Sequence, residues 1–188
     1  MAITGSKMQR FILRSVVPII CTITIGFLFS QEYAFNRQSG AFQFVWSGIV
    51  ASLFYYLLMY VKPRDALLGL ILLLFLTFVT TQSTRAAFVL RDIFYVAGIG
   101  TSIYIYFMYF KRHAADNYAY PPFVLAGIYA VCYIVISEIH LLIVRNFFED
   151  NIYASFVGLA SSSAYFGTLI GFGVGTGITL NEKFFEDK

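Results

Sequence analysis

The chain has 188 residues, 59% of them hydrophobic and only 12% charged, with a net charge of +3 and a mean hydropathy of +0.75. A soluble domain carries about 25% charged residues, so this chain has roughly half the charge that a water-facing surface needs. That balance excludes a disordered, nucleic-acid-binding or disulfide-framework protein and leaves a helical membrane protein.

A helix of about 20 mostly apolar residues crosses the hydrocarbon layer of a bilayer. Six stretches predict such spans: 11–30, 41–61, 66–84, 86–110, 122–144 and 152–180. The expected fold is an all-α polytopic bundle of six transmembrane helices, a single integral membrane domain over 1–188. Its joints are too short to fold by themselves. Barrel strands would alternate polar and apolar residues, whereas 67–79 is almost continuously apolar.

Lys7 and Arg10 ahead of the first span could open a signal peptide. Arg14 and Pro18 interrupt its core, however, and Leu28-Phe29-Ser30 is a poor small-residue cleavage site. The segment therefore reads as a retained span, with Arg14 snorkelling to the interface. Cys21 and Cys132 lie in apolar runs without the spacing of a metal or redox motif, and read as packing groups.

Positive charge predicts the orientation. One side collects Lys7, Arg10, Arg14, Lys62, Arg64, Lys111, Arg112, Lys183 and Lys188; the other collects Arg37, Arg85, Arg91 and Arg145. The positive-inside rule then places both termini in the cytoplasm, with the chain in a plasma (inner) membrane. Trp46, Tyr60, Tyr109, Tyr118, Tyr120 and Tyr153 fall near span ends, where amphipathic rings settle.

The border of the third and fourth spans is polar: Thr77, Thr80, Thr81, Gln82, Ser83 and Thr84 lead to Arg85, and Arg91 and Asp92 follow. A tight outer turn across 83–92 is the favoured reading, with a short re-entrant piece as the alternative.

The fifth span contains Ser137-Glu138-Ile139-His140. A charged carboxyl in hydrocarbon costs several kcal/mol, so Glu138 must find a partner, take a proton or face water. Ionisable groups at that depth are functional candidates, with an interhelical glue pair as the bland alternative. Two residues on a helix turn through about 200°, so Glu138 and His140 face apart. The fourth span brings Arg91 and Asp92 to the same depth. The expected site is an outer polar cluster in which Arg91 or Arg85 holds Glu138, with Asp92, His140 and Arg145 around it.

In the sixth span Ser163, Gly167, Gly171 and Gly175 recur every four residues. This small-xxx-small row predicts a packing face, toward another span, a second copy of the chain or a larger membrane complex. Gly173 and Gly177 beside it lack the spacing and setting of a nucleotide loop.

No cofactor or metal is expected. Every lysine lies in a tail or joint, which leaves none for a retinal Schiff base, and a lone intramembrane His140 cannot supply paired haem ligands. His113, beside Lys111 and Arg112, reads as part of a basic rim facing anionic lipid. The foremost functional expectation is a small transporter or channel for an ion or small solute. A non-catalytic accessory, assembly or sensory subunit comes second, and an intramembrane enzyme acting on lipid third.

Overall fold

The computed structural model describes residues 7–29, 38–60, 62–80, 86–113, 120–147 and 156–184. These form six α-helices and no strand: α1 (Lys7–Phe29), α2 (Gln38–Tyr60), α3 (Pro63–Thr80), α4 (Ala86–Ile105), α5 (Tyr120–Phe147) and α6 (Phe156–Phe184). A π-helical turn at Tyr106–Phe110 and a 3₁₀ turn at Lys111–His113 continue α4.

The all-helical expectation holds, but the six expected spans are only partly matched. Among the described residues three helices are long and apolar enough to cross a bilayer: Leu90–Phe110, Tyr120–Phe147 and Ala160–Lys183. In α1 and α2 the apolar stretches are shorter, Arg14–Phe29 and Phe44–Met59. The 18-residue α3 opens on Arg64 and Asp65, which shortens its apolar length.

Neighbouring helices run antiparallel, and the glycines fix their register. A Cβ at Gly167 would lie 2.7 Å from the Tyr129 carbonyl oxygen, and one at Gly175 2.6 Å from the Pro122 Cα. At Gly171 it would run into the Leu125 carbonyl. On the next face of α6, Gly173 leaves room for only 2.6 Å to the Thr22 Cα, and Gly177 abuts Pro18. So α6 lies wedged between α5 and α1 with backbones nearly touching. Lipid tails are as apolar as leucine, so burial of apolar surface contributes little here; close van der Waals packing of backbones takes its place.

Pro18 lacks the N–H that would bond the Arg14 carbonyl one turn earlier. The Asn181 side-chain amide of α6 donates to that carbonyl instead. The freed acceptor in α1 thereby becomes an interhelical tie. It also puts the start of α1 and the end of α6 at one end of the bundle.

Candidate functional site

Within the bundle the small hydroxyls are satisfied by their own helices. Ser52 donates to the Gly48 carbonyl, Ser102 to that of Gly98 and Thr22 to that of Pro18, each at 2.7 Å. A tyrosine hydroxyl stands too far from its backbone for that solution. Tyr55, Tyr106 and Tyr129 are fully buried, and Tyr56 and Tyr133 are 2% exposed.

Two of these hydroxyls are paired near the end where α6 stops. Tyr55 donates to Glu182 Oε1 at 2.7 Å, and Asn181 donates to the Tyr56 hydroxyl. Among the described residues the hydroxyls of Tyr106 and Tyr129 have no hydrogen-bond partner, and neither has Asn181 Oδ1, whereas the Tyr133 hydroxyl interacts with the Ser47 side chain. A buried polar group left unmatched costs about 1–3 kcal/mol, so three of them together mark a place where something polar belongs.

The rings fall into two stacked groups. Tyr55 lies edge-on to Tyr56 with centroids 5.1 Å apart and tilts toward Tyr106 at 6.4 Å. Tyr129 and Tyr133 are 6.0 Å apart, and Tyr95 of α4 meets Tyr133 at 5.4 Å. Phe94 meets His140 edge-on at 6.1 Å, and a Cβ at Gly98 would touch Ile136. That antiparallel register sets Tyr106 about level with Ile128 and Tyr129.

The α5 residues Tyr129, Tyr133 and His140 fall within about 40° of one another around the helix axis. From Tyr129 to His140 the rise is about 16 Å at 1.5 Å per residue. Tyr55, Tyr56 and Tyr106 gather near Glu182 and Asn181, and Tyr129 and Tyr133 lie on the stripe of α5 that leads to His140; the two groups together are the tyrosine column.

The expected outer cluster is arranged differently. Arg91 donates through Nε and Nη2 to Asp92 Oδ1 at 3.2 and 3.1 Å, and this pair is exposed, with side chains 45% and 36% accessible. Both carboxylate oxygens of Glu138 are shielded and have no hydrogen-bond partner among the described residues, so no hydrogen bond from Arg91 reaches Glu138. The physical reason is local: a carboxylate on the adjacent residue reaches the guanidinium at little entropic cost.

Glu138 lies about 180° round α5 from Tyr129, on the side of the exposed Val131 and Leu142. His140 points instead to α4, against Phe94. Arg145 is exposed in the last turn of α5. Arg85 lies outside the described residues.

The Gly167, Gly171 and Gly175 face is covered by α5 of the same chain, and Ser163, one turn earlier, is 5% exposed. Among the described residues no group of three His, Cys, Asp or Glu side chains could hold a metal ion.

Sequence reasoning missed the tyrosine column and the Asn181–Glu182 end. The readable signal was Tyr129, Tyr133 and His140 at intervals of four and seven residues, one stripe of a helix. No family model, curated protein or solved structure matches this chain.

Proposed function

We propose that this chain is a six-span protein of the plasma membrane, both termini cytoplasmic, that passes a small polar solute or ion along the tyrosine column. One observation carries the reading: the hydroxyls of Tyr106 and Tyr129 are buried in the bundle with no hydrogen-bond partner among the described residues, and that of Tyr133 has only the Ser47 side chain. Such groups are stable in a folded protein when water or a solute completes their bonds. Hydroxyls spaced along one path let a polar species exchange partners stepwise, each contact weak enough to release it. Polar groups at membrane depth mark pathways in this way.

The test is flux in proteoliposomes, with proton and small-cation movement followed by an entrapped dye. Wild-type protein gives flux above empty vesicles, and Tyr129→Phe with Tyr133→Phe lowers it at least tenfold. Equal flux from the wild type and the double variant would remove the column from the mechanism.

A second reading, an accessory subunit of a larger membrane complex, is favoured by Glu138. Its shielded carboxyl has no hydrogen-bond partner among the described residues and shares a face with exposed apolar residues. A basic group on a neighbouring subunit would complete it. Co-purification of a membrane partner that Glu138→Gln releases would support this reading.

A further inference from the structure

The end of the bundle where α6 stops also gathers cations. Lys62 immediately precedes α3, Arg64 lies in its first turn, and Arg112 belongs to the 3₁₀ turn that continues α4; all three are exposed. None of them forms an ion pair among the described residues, and the exposed Asp65 beside Arg64 pairs with none of them. Lys111 is set apart, its Nζ lying over the rings of Tyr55 and Phe107 at 5.2 and 5.0 Å.

Helix packing brings these groups to one corner. A Cβ at Gly100 of α4 would meet the Leu70 side chain of α3, which sets the two residues level. From that level Lys62 lies about 12 Å and Arg112 about 18 Å toward the same end, at 1.5 Å per residue. Long basic side chains span that difference as they reach for the head-group layer. The Lys62 carbonyl accepts from the N–H groups of Asp65 and Ala66, so α3 starts here and turns the positive end of its dipole to the same corner.

Beneath the cations α3 presents an apolar stripe. Leu68, Ile71, Leu72 and Phe75 are each 58–61% exposed. Arg64 stands four, seven, eight and eleven residues before them, and all five fall within about 100° around the helix axis. A cation at the head of an exposed apolar stripe has the outline of a phospholipid, a phosphate above an acyl chain. Guanidinium groups hold phosphate oxygens bidentately. A corner short of carboxylates favours a headgroup of net negative charge, because the ammonium of a zwitterionic one meets repulsion there.

We propose that the α3–α4 corner binds an anionic glycerophospholipid. Its phosphate is held by Lys62, Arg64 and Arg112, and one acyl chain lies along Leu68, Ile71, Leu72 and Phe75. The positive-inside rule accounts for basic residues on one side of a membrane, but not for unpaired cations gathered over one helix face. The site is separate from the tyrosine column and from whatever passes along it.

Native mass spectrometry of the full chain, released from micelles doped with dioleoylphosphatidylglycerol or dioleoylphosphatidylcholine, reads the site. The wild type should retain phosphatidylglycerol about tenfold or more over phosphatidylcholine. Arg64→Gln should weaken that retention about fivefold, the effect of one basic group near an anionic surface, and Arg64→Lys should keep most of it. Lys62→Gln, Arg64→Gln and Arg112→Gln combined should abolish the preference. Arg91→Gln removes one charge from the opposite end and should leave it unchanged. Circular dichroism checks that each variant keeps its helices. Soluble glycerol 3-phosphate should not compete, since it lacks the acyl chain. Equal retention of the two lipids by the wild type would overturn the proposal. So would a preference that survives the triple variant, or one that Arg91→Gln lowers as far as Arg64→Gln does. Displacement of the lipid by glycerol 3-phosphate would reveal a site for phosphate alone and overturn the lipid assignment.

Discussion

The side-chain amide of Asn181 donates to the Arg14 carbonyl, the acceptor that Pro18 deprives of its helical partner. The same amide nitrogen holds the Tyr56 hydroxyl, so one residue of α6 joins α1 to α2. The pair makes a strong prediction because the defect and its repair lie on different helices. Asn181→Ala removes both bonds and should cost about 1–3 kcal/mol in a thermal or denaturant titration in detergent. In a Pro18→Ala background the restored N–H at position 18 satisfies Arg14, so the cost of Asn181→Ala should fall measurably. Strict additivity in that cycle would mean that the tie does no energetic work.

The glycines of the bundle divide into two kinds. A Cβ at Gly171 or Gly175 would collide with backbone of α5, which has nowhere to move, whereas one at Gly127 meets nothing within 4 Å. Gly171→Ala and Gly175→Ala should each destabilise the bundle by about 1–3 kcal/mol. Gly127→Ala should be neutral or stabilise it by up to about 1 kcal/mol, since alanine is the better helix former. Thermal unfolding in one detergent ranks all three variants.

The membrane class and the row of small residues were legible in the sequence because long apolar runs and a four-residue repeat are local properties. Other features depend on rotation and register, which a single chain does not disclose. Glu138 was identifiable as an unusual acid, but whether it meets Arg91 depends on how α5 turns against α4. The column was hidden among 14 tyrosines, and only packing separates those with partners from those without. Neither the π-helical turn that positions Tyr106 nor the reach of Asn181 to Arg14 leaves a periodic signature. Three of the six expected spans correspond to helices long and apolar enough to cross a bilayer; the apolar stretches of α1 and α2 are shorter, and Arg64 and Asp65 fall within the first turn of α3, outside the 66–84 span read from hydropathy.

Arg91 and Asp92 form an exposed pair between adjacent residues. Exposed pairs contribute at most about 1 kcal/mol, so Arg91→Gln and Asp92→Asn should each change stability by less than about 0.5 kcal/mol. Flux should be unaffected. A large loss in either variant, read by thermal unfolding, would return Arg91 to the interior site from which the geometry removes it.

Tyr129→Phe removes a hydroxyl with no hydrogen-bond partner among the described residues and should lose no more than about 0.5 kcal/mol of stability, whereas Tyr133→Phe also removes the Ser47 interaction and should cost up to about 1 kcal/mol. Their main effect should appear in flux. Glu138→Gln removes a buried carboxyl with no hydrogen-bond partner among the described residues and should leave the melting temperature unchanged or raised, again with flux as the separate readout. A variant that loses flux only by unfolding would reveal itself in the same melt.

Whether the column holds water is the most direct question. Radiolytic hydroxyl-radical footprinting of the wild-type chain in nanodiscs, read by mass spectrometry, labels side chains that lie against bound water. Tyr106, Tyr129 and Tyr133 should be modified at rates within a few-fold of exposed Tyr109, despite their burial, while buried Phe54 and Ile99 stay unmodified. Protection of all three tyrosines to the level of Phe54 would show a dry interior and contradict the account.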